Sequence, residues 1–207
     1  MKNDGFLAIW SDIATESEID YLHWLTREHT QERLAVTGFA AVRVFRLLRD
    51  DLRRYFICYE LRNAEVLSSQ AYLNRLNHPT PWSQRIMPSL SNFIRGGGTV
   101  RRRTGLGQGA LLAIVKFDDA LPSGGAALAQ AVIRMDGIIA AEFLETDHTQ
   151  TSIRTHEKGL RTGDQSFAGL FLVEGVREQG LVTAVGHLGL TLCDGIYAQV
   201  FELRGEP

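Results

Sequence analysis

Apolar positions along the chain switch between two periods, and the switches mark out an order of elements. Residues 6 to 11, FLAIWS, form a short apolar run, whereas residues 16 to 35 carry apolar side chains at helical spacing. Thr15, with Glu18 three positions later, reads as a capping box at the start of that helix, and Gly38 ends it. Two further runs, AAVRVFRLL at 40 to 48 and YFICYEL at 55 to 61, flank the polar RDDLRR and suit a hairpin. Residues 64 to 77 are helical again until HPTPW breaks them, because residues before proline are biased away from helix. A short helix over 82 to 91 would carry Trp82, Ile86 and Leu90 on one side, and NFIRGGGTVRR would supply a fourth strand.

This order is βαββαβ, the ferredoxin-like unit. After the Gly-rich GLGQG, which precedes a strand and therefore reads as a linker, the order recurs. LLAIVKF is a strand, GAALAQAVIRM a helix, DGIIAAEFLE and SFAGLFLVE strands, REQGLVTAVGHL a helix and GIYAQVFEL a strand. VTGFAAVRVF aligns with RMDGIIAAEF, and YFICYEL with AGLFLVE. The fold class expected is α+β: tandem ferredoxin-like repeats, residues 1–104 and a degenerate 105–207. FLAIW, LLAIVKF and AGLFLV are apolar on both faces, so both faces need a cover. Helices can cover one face and the other half's sheet the second, giving antiparallel sheets joined in an α+β barrel.

Composition alters little. Hydrophobic residues make up 44% and charged residues 22%, enough for a core, and a net charge of -2 is no footprint of a nucleic-acid or anionic-membrane binder. RRR at 101 to 103 reads as a solvated strand end. Cys58 and Cys193 lie in apolar runs without metal-ligand spacing and read as buried thiols; no metal site is expected. With no signal-like start and no apolar window of spanning length, the expectation is a cytoplasmic protein without a membrane partner.

The segments IWSDI, YLHWLTREHTQERLAVTGFAAVRVFR, YFICYEL, VLSSQAYLNRLNHPTPW and NFIR resemble an uncharacterised bacterial branch of the dimeric α+β barrel superfamily, close to EthD-like proteins. Trp24, Glu28, His29, Glu32, Arg33, Leu34, Gly38 and Phe39 carry the resemblance; Thr37 stands where the branch has proline at the turn. The similarity covers about the first 95 residues. The second half lacks a Glu-His pair on its first helix, which points to one pocket per chain. The resemblance implies a small-molecule cavity and leaves homodimerisation open. Superfamily members include cofactor-free monooxygenases, lactone isomerases, polyketide cyclases and haem enzymes, alongside proteins of no known activity.

Helical projection puts Leu22, Leu25 and His29 in one stripe facing the sheet, flanked by Tyr21, Glu32 and Arg33. His29 is therefore the candidate general acid/base, with Glu32 and Arg33 able to set its tautomer or charge. The plainer alternative is that it fastens helix to sheet. Strand parity groups Tyr59 with Tyr55 and Ile57, and Arg43 with Ala41 and Phe45; if those faces meet the helices, Tyr59 and Arg43 could position substrate. Trp82 is a candidate lid and Trp24 a lining or packing residue. The expected function is a cofactor-independent acid/base enzyme on a small aromatic or lactone-like metabolite. A non-catalytic binding protein and a haem enzyme are the alternatives. The polar stretch 146 to 166 reads as a solvated insertion, with a lid or dimer arm as the other options.

Overall fold

The computed structural model describes residues 3–205. Eight antiparallel strands close into one ring: β1 (Gly5–Asp12), β2 (Phe39–Leu47), β3 (Arg54–Leu61), β4 (Ser91–Thr104), β5 (Leu111–Phe117), β6 (Ile138–Thr146), β7 (Gly169–Gly175) and β8 (Ile196–Arg204). Around the ring the order is β1-β3-β2-β8-β5-β7-β6-β4. Each half thus contributes four neighbouring strands, joined by β2 with β8 and by β4 with β6. Among the described residues no helix is long and apolar enough to cross a membrane.

Three layers of core arise from strand alternation. Inside the ring, Phe6, Trp10, Phe45, Phe56, Leu112 and Leu170 from both halves pack together. Trp10 sits 4.5 Å from Phe56, ring to ring, and donates its indole N–H to Tyr197 Oη at 3.1 Å. The outer face of the first half carries Leu7, Ile9, Tyr55, Ile57, Tyr59 and Leu61 against its helices. The outer face of the second half is covered by α5 (Gly125–Val132) and α8 (Glu178–His187), and every buried residue of that layer is apolar.

The long helix expected over 16 to 35 is composite. A 3-10 turn (Thr15–Ser17) leads into α1 (Glu18–Trp24), a π turn (Leu25–His29) and α2 (Thr30–Leu34). The Thr15 capping box does not form. No side chain caps either start, and Glu18 instead accepts from Tyr55 Oη at 2.6 Å and Arg53 Nε at 3.0 Å. π turns are rare and concentrate at functional sites. The next helix begins later than its periodicity predicts: after a 3-10 turn (Ala64–Ser68), α3 (Gln70–Asn77) is capped by Ser69. Thr80 caps α4 (Pro81–Ile86), whose proline at the first turn needs no N–H partner.

The stretch 146 to 166 is not a solvated insertion. It contains α6 (His148–Thr151) and α7 (His156–Gly159) and crosses from the second half onto the outer layer of the first. Gln165 pairs with the backbone of β4: Arg95 N–H donates to Gln165 O and Gln165 N–H to Phe93 O, each at 2.9 Å. Leu160 packs on the first half's helix–sheet core, and His156 N–H donates to Asn77 Oδ1 at 3.0 Å. We refer to this segment as the strap.

Candidate functional site

Beneath the π turn lies a small cavity between helix and sheet. His29, Trp24, Arg33, Tyr72 and Arg95 line it from the first half; Glu157, Lys158 and Arg161 line it from the strap. About 20 Å³ is open to the centre of a water-sized sphere, room for roughly one water.

His29 is 4% exposed and its Nδ1 has no hydrogen-bond partner in the protein. Its ring lies 4.2 Å from that of Trp24. Trp24 is fixed in turn, donating its indole N–H to Ser83 Oγ at 3.1 Å, while Thr80 Oγ1 donates to Glu28 at 2.5 Å and ties α4 to the first helix. Burial, then the nearby Arg33 and Arg161, hold the imidazole well below its ordinary 6.5, so it is neutral in the folded chain.

Arg33 is fully buried and ion-paired through Nη2 with Glu157; its Nη1 has no acceptor. Burial opposes its charge, but Glu157 and Tyr72 outweigh burial and keep it charged. Tyr59 Oη is also buried without a partner, and burial drives that hydroxyl upward, away from ionisation. Arg95 donates to Tyr72 Oη at 3.3 Å and Thr151 O at 3.2 Å. Arg161 lies 3.8 Å over the Phe93 ring and pairs with Asp164 at 3.0 Å. Lys158 donates to Thr151 O and Ile153 O at 2.5 and 2.6 Å, and burial with Arg95 pulls it down to about 8.

The structure therefore brings together His29, Arg33 and Trp24 and separates the others. Glu32 does not orient His29: it points outward to Arg75 at 2.6 Å, and burial raises its carboxyl. Trp82 does not line the cavity: it packs outside it with its indole N–H on Asp20 at 3.1 Å, and residues of the strap line the cavity instead. Arg43 and Tyr59 lie on opposite faces of the sheet. In the β2–β3 register Arg43 is opposite Cys58 and Val42 opposite Tyr59, so Arg43 looks into the barrel and Tyr59 toward the helices.

Arg43 lines a wider opening at the barrel mouth, about 140 Å³ by the same measure, together with Cys58, Glu142 and Glu174. It is not free to hold an anion there. Its guanidinium bonds Gln199 at 2.8 Å, Glu174 at 2.7 Å and Gly109 O at 2.9 Å. Glu142 is likewise taken by Arg103 at 2.5 Å, and burial pushes the Cys58 thiol up to about 12, unreactive at neutral pH. Arg43, Glu174 and Glu142 on the larger space are thus all paired, whereas the smaller one holds His29 Nδ1 and Arg33 Nη1 without partners.

A haem group does not fit beside His29. The ring is packed on Trp24, and the other histidines are exposed and line neither cavity. Among the described residues no group of three or more His, Cys, Asp and Glu side chains is placed to hold a metal ion.

No family model matches the sequence, and no curated protein matches it. Solved structures do match in shape. An anthrone oxidase-like protein superposes with a TM-score of 0.62 at 11% identity, covering 100% of this chain and 95% of that one. A putative monooxygenase from Fusobacterium nucleatum gives 0.52 at 12%, covering 99% and 94%. A putative chlorite dismutase gives 0.51 at 11%, covering 96% and 95%. The fold is theirs: a ferredoxin-like α+β barrel. At such identities the likeness carries the fold alone.

His29 yields a pH test. Its folded pKa is depressed, so below about 6.5 the unfolded chain takes up a proton that the folded chain refuses, and stability should fall as the pH drops through that value. Denaturant titrations at about pH 5 and about pH 7.5 should show a smaller acid loss in His29→Gln than in wild type. Equal losses would mean that this imidazole is not held neutral by the fold.

Proposed function

We propose that the chain is a cofactor-independent acid/base enzyme of isomerase, cyclase or monooxygenase type, acting on a small aromatic or lactone-like metabolite between the first helix and the sheet. In this reading the halves 1–104 and 105–207 are ferredoxin-like repeats that share one site, with His29 on the first and the strap supplied by the second. The protein is cytoplasmic, and a homodimer would pair through surfaces outside the ring. The observation that carries the proposal is His29: neutral, buried, with Nδ1 free of any protein partner, beside a charged arginine.

With its proton on Nε2, the imidazole accepts at Nδ1 a proton from an acidic C–H or O–H of the bound molecule. The enolate or phenolate so formed lies near Arg33, which stabilises it. Arg33 and Arg161 also disfavour the new imidazolium, so His29 returns the proton at another atom of the substrate, and the isomerisation balances. In an oxygenation, dioxygen would be the second substrate. The anthrone oxidase-like and monooxygenase neighbours support this class without naming a substrate.

A non-catalytic binding protein is the second reading, favoured by the strap that seals the cavity. Thermal-shift screening of anthrones, quinols and lactones would identify a ligand. His29→Gln should then lower turnover about 100-fold or more while leaving affinity within a few-fold. Undiminished turnover in the variant removes His29 from the mechanism. Binding without turnover by wild type selects the carrier.

A further inference from the structure

The cavity wall is cationic: Arg33, Arg95, Lys158 and Arg161 line it against the single carboxylate of Glu157. That carboxylate comes from the strap, 124 residues along the chain from the arginine it pairs with. It occupies Arg33 Nη2 only. Nη1, on a side chain 2% exposed, is left without an acceptor. A guanidinium presents a planar fork suited to both oxygens of one carboxylate, so half of this fork is unused. With the Glu157 carboxylate displaced, the place it leaves at Nη2 and the unpaired Nη1 together present the whole fork to an incoming planar carboxylate.

The strap itself is held to the first half by exposed polar contacts, His156 to Asn77 and the backbone pairing of Gln165, and by buried ones, Arg95 to Thr151 and Arg161 over Phe93. Leu160 is its apolar foothold on that core. Glu157 therefore stands as an internal ligand of Arg33, carried on a segment from the other half of the chain.

We propose that this cavity binds molecules bearing a carboxylate, which displaces Glu157 from Arg33 and releases the strap, so that residues 147–166 form a gate closed by the chain's own carboxylate. The inference rests on this cavity being the ligand site, and does not require it to be catalytic.

Benzoate and acetate are the probes, with chloride and phosphate at matched ionic strength as controls, titrated calorimetrically into the full chain. Benzoate should bind Glu157→Gln at least tenfold more tightly than wild type, because the internal competitor has lost its charge. Arg33→Lys should weaken binding at least tenfold, since lysine lacks the fork. Should Glu157→Gln fold poorly, wild type alone gives a second reading: saturating benzoate should speed tryptic cleavage at Arg154, Lys158 and Arg161 several-fold, and chloride should not. Equal benzoate affinity in wild type and Glu157→Gln, undiminished binding in Arg33→Lys, equal response to phosphate, or cleavage unchanged by benzoate would each overturn the proposal. Loss of turnover chemistry with this binding pattern intact would remove only the acid/base reading, and loss of the pattern with turnover intact would remove only this one.

Discussion

Glu157→Leu should lower the free energy of unfolding by about 3–5 kcal/mol, and adding Arg33→Met should return most of it. The single change strands a guanidinium that is 2% exposed, with Nη1 already lacking an acceptor. The double change removes both charges, and two apolar chains of similar volume can pack against Tyr72 and Leu160, which the pair now touches or neighbours. Denaturant unfolding of wild type, both single variants and the double variant closes the cycle. Simple additivity would mean that the two groups do not depend on each other and that the strap is held elsewhere.

Gly98→Ala should cost at least about 3 kcal/mol or prevent the barrel from closing. Here β4 passes from its partner β1 to its partner β6, pairing Phe6 on one side and Thr146 on the other. A Cβ at Gly98 would stand 2.6 Å from Asp147 N and closer still to Glu145 O. These are backbone atoms of the adjoining strand and strap, so relief requires the joint between the halves to open. Gly186→Ala is the control. Nothing lies within 4 Å of its added methyl, and in α8 the change should stabilise by about 0.5–1 kcal/mol. Thermal unfolding of the two variants tests the contrast; a well-tolerated Gly98→Ala would show that the joint has slack.

The order of elements is legible in the sequence because strand and helix periods differ and because FLAIW and LLAIVKF are apolar on both sides, demanding two covers. Parity groups Tyr59 with Ile57, and Arg43 with Phe45, correctly. It does not say which group faces the helices. That depends on pairing partners distant in sequence, Arg43 with Cys58 and with Glu202 of β8, and placing Arg43 on the helix side fails for that reason. His29 and Arg33 are legible from helical projection. Glu32 is misplaced by it because i, i+3 proximity does not fix direction, and Arg75 on α3 draws the carboxylate away. Glu157, Lys158 and Arg161 carry no local signal at all: a polar run of unusual length is the only hint that the strap does something, and nothing in it names the cavity more than a hundred residues earlier.

The wide turn Leu25–His29 sets the phase of the helix beyond it. Removing a single exposed residue there, such as Arg27, would let the backbone revert to uniform α-helical winding with Thr30–Leu34 kept nearly in phase with Glu18–Trp24, because the wide turn sweeps about as far as one residue fewer of α-helix. Arg33 would keep its face toward Glu157, and what would be lost is the local widening that carries His29. The pairing across the two halves thus tolerates a one-residue shortening at this turn, whereas the same loss within Glu18–Trp24 would turn Arg33 by about 100° away from its partner.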